Sequence, residues 1–381
     1  MGKRSQVRGQ KSEVKQPTTN NQQLTNKLIM VTAKKKSLIP LLLGLIVLVA
    51  GGGIAVTWLW WQRAIAPVAA NTEIREVSFT VESGMVGQQI GSKLAEEGLI
   101  KSPTAWKLWT KLQQQKDSGG FKAGTYLISP DESLPDIASK IWRGEIMLTT
   151  FTIPEGRSIE QMANYFESLG YFTSDEFLAA AKEIPYEKYP WLPQEIPHLE
   201  GYLYPDTYKI SSDRASNPQA IIDVMLSNFE RIALPVYEAA DTDYSLQEWV
   251  TLASIVEKES VVQAERPLIA GVFTARLEQG IRLESDPTVE YGLGIRQTAD
   301  QPLTYAQVGM PSPYNTYRNF GLPPTAIASP GIASLKATLN PESTEYLFFV
   351  ARYDGTHVFS KTLQEHEAAT REIRRERNAR Q

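Results

Sequence analysis

Cysteine is absent from the 381-residue chain. Disulfides, thiolate catalysis and cysteine-ligated zinc or iron–sulfur sites are therefore excluded. Histidine is scarce: His198, His357 and His366 are scattered without ligand spacing, so no metal site is expected. No P-loop, no GxSxG motif and no nucleic-acid signature occurs, so neither a cofactor nor a nucleic-acid partner is expected. Acid is nearly missing at the start. Residues 1–36 carry nine Lys/Arg and one acid, Glu13, and the chain as a whole is at −4, which leaves about −12 for the rest. Residues 1–37 are also poor in aromatic and branched apolar side chains. They cannot bury enough surface to fold and are read as a disordered basic tail.

Charge is missing again over residues 38–61, the longest apolar run of the chain. As a helix these 24 residues extend ~36 Å, enough for a hydrocarbon core of ~30 Å. Lys34, Lys35 and Lys36 precede the run, and Trp58, Trp60 and Trp61 close it where an aromatic belt belongs. Ala64-Ile65-Ala66 mimics a signal-cleavage site, but the run is longer than a signal core. The expectation is a single-pass anchor in a lipid bilayer, with the N-terminus in the cytoplasm and the bulk of the chain outside it.

After a linker at 62–75, short β-branched runs alternate with amphipathic stretches. Three segments share a pattern: FTVESGMVGQQIGSKL from Phe79, YLISPDESLPDIASKI from Tyr126 and FTIPEGRSIEQMANYF from Phe151. Each has apolar residues eleven and fifteen positions after its aromatic: Ile90 and Leu94, Ile137 and Ile141, Met162 and Phe166. The pattern predicts strand, turn and helix, with the last two side chains on one helical face. The units resemble the LysM module, a small glycan-gripping fold that also serves as a spacer. Farther on, LEGYLYPDTY from Leu199 fits either tyrosines packed in a core or a sugar-stacking platform.

YSLQEWVTLASIVEKES, from Tyr244, reads as a helix. Ser245 and Glu248 form a capping box, and Trp249, Leu252, Ala253, Ile255 and Val256 make an apolar stripe. Lys258 is expected opposite the stripe, in solvent. Glu257 and Glu259 flank it, ~160° apart around the axis. Residues i and i+2 do not face each other, so at most one of these acids serves a reacting centre. A carboxyl beside apolar surface keeps its proton towards neutral pH and suits a general acid. The other reading is structural, with the glutamates paired to an arginine such as Arg266 or Arg276.

LASIVEKES from Leu252, Glu265-Arg266, RLESDPTVEYGLG from Arg282, YNTYRNFGLPPTAIASPG from Tyr314 and LKATLNP from Leu335 together resemble the endolytic murein transglycosylase, or YceG-like, family. GYLYPDTY and FKAGTY fit too, and the resemblance covers about residues 76–370. It implies an α+β architecture: transmembrane helix 38–61, small LysM-like α+β domain 76–148, larger mixed α+β catalytic domain 149–373 and a charged end at 374–381. It implies cleavage of the β-1,4 bond between N-acetylmuramic acid and N-acetylglucosamine within peptidoglycan strands, without water, leaving a 1,6-anhydro end and limiting strand length. The catalytic residue is then the second glutamate of EKE, Glu259. Glu257 and Arg266 become structural neighbours, and Asp286, Tyr314, Asn315 and Tyr317 substrate-binding residues. Partners would be glycan strands, the membrane and peptidoglycan synthases (penicillin-binding proteins). Two rivals stay open: a lysozyme-type hydrolase with Asp286 as second carboxylate, its two carboxyls ~5–9.5 Å apart, and a non-enzymatic glycan-binding scaffold. EYLFFVARYDGTHVFSKT, from Glu345, predicts two strands about a turn at Asp354-Gly355, with a solvated helix from Gln364.

Overall fold

The computed structural model describes residues 39–69, 76–298, 301–352 and 354–380. The basic tail and positions 70–75 of the expected linker lie outside them. The chain divides at Trp60/Trp61 into two compact units. Helix α1, Ile39–Ile65, is the one helix among the described residues long and apolar enough to cross a membrane, over Leu42–Ile65. It continues four residues past the expected end at 61, because 62–65 contain no breaker. It stops before Pro67, whose ring disfavours helical backbone at the preceding residue.

From Trp61 onward the unit is mixed α and β, with three separate two-stranded antiparallel sheets among the described residues. Strand β1 (Val77–Val81), helices α2 (Gly87–Glu96) and α3 (Pro103–Lys116), strand β2 (Gly124–Ile128) and helix α4 (Leu134–Arg143) come first. β1 pairs with β2, so two helices bridge an antiparallel pair. Phe79, Ile90, Leu94, Tyr126, Ile137 and Ile141 form its dry centre, joined by Ala64. Burying each large apolar side chain stabilises by ~1.5–3 kcal/mol. Next come β3 (Leu148–Thr152), α5 (Ile159–Ser168), α6 (Ser174–Ala180), β4 (Thr207–Ser211), α7 (Ser212–Ala215), α8 (Pro218–Ile232) and α9 (Leu234–Glu238), with β3 paired to β4. Met147 joins the two parts: its N–H donates to Thr125 O (2.6 Å) and its carbonyl accepts from Ser212 N (3.0 Å).

The three expected strand–helix units are β1–α2, β2–α4 and β3–α5, and all six paired apolar positions are buried. The LEGYLYPDTY stretch lies in the core. Leu199, Tyr202, Leu203 and Tyr204 are buried. Gly201 has φ +89°, and a Cβ there would lie 2.5 Å from Ala326 Cβ and 2.6 Å from Val250 Cγ1. Both conformation and space require glycine.

The remainder comprises α10 (Leu246–Glu259), a 3₁₀ turn at Gln263–Glu265, α11 (Arg266–Glu278), α12 (Asp286–Leu293), α13 (Tyr305–Val308), α14 (Ile332–Leu339), the hairpin β5 (Phe348–Ala351) and β6 (His357–Ser360), and α15 (Leu363–Arg380). α15 packs against the hairpin and buries Ile373. The expected 373/374 boundary thus falls inside a continuous helix.

Candidate active site

Helix α10 begins as its sequence dictates. Ser245 Oγ accepts from Glu248 N at 3.2 Å, and Glu248 Oε2 accepts from Ser245 N at 2.8 Å. Every residue from Trp249 to Val256 is buried, so the helix is enclosed on all sides rather than lying on a surface. Its polar residues are satisfied internally. Trp249 Nε1 donates to Leu335 O (2.9 Å), Ser254 Oγ donates to Thr251 O (2.7 Å), and Ile327 N donates to Ser254 Oγ (3.0 Å). Enclosure changes the fate of the charged end. Lys258, expected in solvent, is half-buried with Nζ 3.4 Å from Gly156 O. Burial and the nearby Arg296 hold its pKa below the usual lysine range.

Glu257 is locked into the protein. Its Oε2 accepts from Gly331 N (3.0 Å) and Ser334 Oγ (2.7 Å), and its Oε1 lies 3.4 Å from Arg266 Nη2. Both charged side chains are 7% exposed, and each retains its partner where an unpaired buried charge would be costly.

Glu259 enters a different environment. Ser285 Oγ donates to its Oε1 at 2.6 Å, and among the described residues its carboxyl makes no other hydrogen bond. Burial, with the Ser285 bond working against it and the carboxylates of Asp286 and Glu290 adding to it, raises its pKa to about 7.

The opposing wall is α12. Asp286 and Glu290 sit one turn apart on it. Asp286 Oδ1 accepts from Tyr317 OH (2.7 Å) and Oδ2 from Gln297 Nε2 (3.2 Å), while Glu290 Oε1 accepts from Gln297 N (3.2 Å). Asp286-Pro287 starts the helix. Pro287 occupies the first turn, where its missing N–H costs nothing. The segment that delivers Ser285 is held by long-range bonds. Ser285 N donates to Thr316 Oγ1 (3.0 Å), and Arg276 Nη1 donates to the carbonyls of Arg282 (2.7 Å) and Leu283 (3.2 Å). Glu284 is left-handed at φ 53°, a conformation that costs ~1–3 kcal/mol and persists where neighbours enforce it.

Glu259, Asp286, Glu290, Arg296 and Tyr317 line a cleft of ≈ 710 Å³, bounded on its other side by β5 and α15. A second lobe of ≈ 220 Å³ shares Lys258, Pro287, Glu290 and Arg296 with it and runs on to Gly156 and α5. The two spaces therefore adjoin at Lys258, Pro287, Glu290 and Arg296. Of the residues singled out in the sequence, Glu259, Asp286 and Tyr317 meet here. Tyr314 and Asn315 do not. Tyr314 OH pairs with Thr325 Oγ1 (2.9 Å), and its ring stacks edge-on against Tyr291. Asn315 is buried and donates to the carbonyls of Val308 and Met310, both at 2.8 Å. Both serve the loop rather than the cleft. Sequence reasoning missed Ser285, Lys258, Glu290, Arg296 and Gln297. Glu290 was within reach, because a helix starting at Asp286 puts position i+4 on the same face.

A family model described as the YceG-like family matches residues 79–372. The endolytic murein transglycosylase of Bacillus subtilis (strain 168) is 30% identical over 335 residues, 84% of this chain and 90% of that protein. The endolytic murein transglycosylase of Streptococcus pneumoniae serotype 2 (strain D39) is 30% identical over 354 residues, 84% of this chain but 62% of the longer relative. Among solved structures, a YceG-like protein of Listeria monocytogenes matches with a TM-score of 0.50 and 30% identity, over 78% of this chain and 100% of that one.

Proposed function

The chain belongs to the YceG-like family, and from that premise we propose that it is a lytic transglycosylase of peptidoglycan, with Glu259 as its single acid/base. The environment of Glu259 carries this reading: a carboxyl in an open cleft, titrating at about 7, held by one hydroxyl and left without a cationic lock. Protonated, it delivers its proton to the glycosidic oxygen as the bond to C1 of N-acetylmuramic acid breaks. The resulting carboxylate takes the proton of the sugar's own 6-hydroxyl, whose oxygen closes onto C1. The 1,6-anhydro ring forms, Glu259 recovers its proton and no water is consumed. One acid/base near neutral pH suffices for both transfers. Asp286, oriented by Tyr317 and Gln297, offers negative charge to the cation-like sugar between the two steps.

A second space adjoins the Glu259 cleft at Lys258, Pro287, Glu290 and Arg296, which suits a strand longer than the cleft itself and an internal cut. The apolar helix supports a single-pass anchor with the basic tail in the cytoplasm. The catalytic part, 149–373, would then face nascent strands beside the peptidoglycan synthases and limit their length. The β–α–α–β order and antiparallel pairing of 77–128 support a LysM-like module between anchor and cleft.

Digestion of purified peptidoglycan by the full chain in detergent, read by mass spectrometry, tests the proposal. Anhydro-muropeptides of many lengths at early times are expected, and Glu259→Gln should lower their rate by ~10²–10⁴-fold. Reducing ends would overturn it in favour of a hydrolase using Asp286. An unaffected Glu259→Gln protein would remove the acid from the mechanism.

A further inference from the structure

Residues 77–143 and 148–232 are two copies of one module. At a fixed offset of 72, Phe79, Thr80, Gly84, Gln89 and Gly98 recur as Phe151, Thr152, Gly156, Gln161 and Gly170. Later, TYLIS at 125–129 recurs as TYKIS at 207–211. The structure repeats the details. Phe79 pairs with Tyr126 and Thr80 with Thr125, as Phe151 pairs with Tyr208 and Thr152 with Thr207. Each threonine pair is bridged through its hydroxyls, at 3.0 and 2.9 Å. Each tyrosine hydroxyl donates to the carbonyl four residues earlier, Lys122 (2.6 Å) or Tyr204 (2.5 Å). Gly84 and Gly156 have φ +84° and +75°, and Gly98 and Gly170 have +70° and +72°. Gln89 and Gln161 each accept from the cap residue's backbone N–H.

The copies differ in what the loop between first strand and first helix meets. In the first it borders a separate groove, with Val86, Gly87 and Gln88 facing Phe121 and Trp142. In the second, Ser158 and Glu160, the equivalents of Val86 and Gln88, form with Gln161 and Asn164 the outer wall of the lobe beside Lys258. Buried Glu200 fixes that wall: it accepts from Ile159 N on α5 and from Tyr291 OH on α12, each at 3.1 Å. Gly156 N to Ser329 O (2.8 Å) and Ser329 N to Arg157 O (2.9 Å) hold it from behind.

We infer that the second copy is the glycan-gripping arm of the active cleft, with the Glu160–Gln161–Asn164 face of α5 binding sugar units on one side of the bond that Glu259 cuts. This rests on the transglycosylase reading for the identity of the ligand. The face offers neutral amides and a carboxylate. Gln161 and Asn164 use their oxygens within the protein, accepting from Ser158 N (3.2 Å) and Ser174 Oγ (3.1 Å). Their NH₂ groups remain to donate to hydroxyl and acetamido oxygens, and Glu160 accepts from hydroxyls, as sugar recognition requires. The wall is braced before any ligand arrives, so binding orders little.

The test uses the full chain in detergent and uncross-linked glycan strands labelled at one end. Asn164→Trp and Glu160→Arg change exposed positions and should leave the thermal midpoint in place. Each is expected to raise KM at least tenfold with kcat changed less than threefold. In the Glu259→Gln background, direct binding of the same strands should weaken by the same factor. If the parent cuts strands but both variants keep KM and binding within twofold, the arm is refuted and the transglycosylase reading stands. If strands bind in an α5-dependent way but the parent does not cut them, the arm stands and the reaction class falls.

Discussion

Glu257 and Glu259 leave the end of one helix two residues apart and enter opposite regions. On the Gly331 side, a carboxylate is met by a backbone amide, a hydroxyl and a guanidinium, and the space is closed. On the Ser285 side, one hydroxyl meets the carboxyl, two further acids stand opposite, and the space opens into a cleft. Local sequence treats the two residues alike. What separates them is how completely each is satisfied before substrate arrives: a saturated carboxylate is structural, and an unsaturated one retains free energy to spend on a reacting group.

The largest expected effect comes from breaking the closed side. Glu257→Ala takes from buried Arg266 its ion-pair partner, leaving Glu155 as the carboxylate acting on it, and leaves Gly331 N and Ser334 Oγ without an acceptor. It should cost about 3–5 kcal/mol of stability by denaturant unfolding. A loss under 1 kcal/mol would show that the closed side is not a lock. Glu200 provides a second contrast, a carboxyl raised to about 8 chiefly by burial yet fully used by Ile159 N and Tyr291 OH. Its folded pKa lies above the unfolded value, so the folded state holds a proton that the unfolded chain releases. Stability must then fall as pH rises from the ordinary carboxyl range towards about 8, by on the order of a few kcal/mol, and flatten beyond. Glu200→Gln should show a visibly shallower decline between pH 5 and 8. An unchanged slope would mean that Glu200 is not the group responsible. The smallest effect sharpens the open side. Ser285 donates to the ionised form of Glu259 and so holds its pKa down. In Ser285→Ala that pKa rises, and the fall of kcat/KM through about pH 7 should move to higher pH. A shift to lower pH, or none, would place the titrating group elsewhere.

Much of this was legible in the chain. The capping box at Ser245 and Glu248, the apolar pairs of the strand–helix units and the hairpin about Asp354-Gly355 depend on neighbours within a few residues, and local patterns report them. Lys258 was misplaced because the stripe of α10 looks one-sided while the helix is enclosed all round, its second side covered by the 325–329 segment and α14. Tyr314 and Asn315 resembled binding residues because an aromatic and an amide in a loop look the same whether they face a ligand or Val308 O, Met310 O and Thr325. The further strand–helix pair β4 and α8 escaped because α7 lies between them, so the positions eleven and fifteen after Tyr208 are Gln219 and Asp223 rather than apolar residues.

By itself the sequence determined the chemistry available: no thiols, few histidines, one membrane-length apolar helix and two acids at the end of a capped helix. Only the tertiary structure decided which acid is free to react. Ser285 reaches Glu259 from 26 residues away, and Gly331 reaches Glu257 from 74. Desolvation and hydrogen-bond saturation are set by atoms in space, and those partners meet only when the chain has folded.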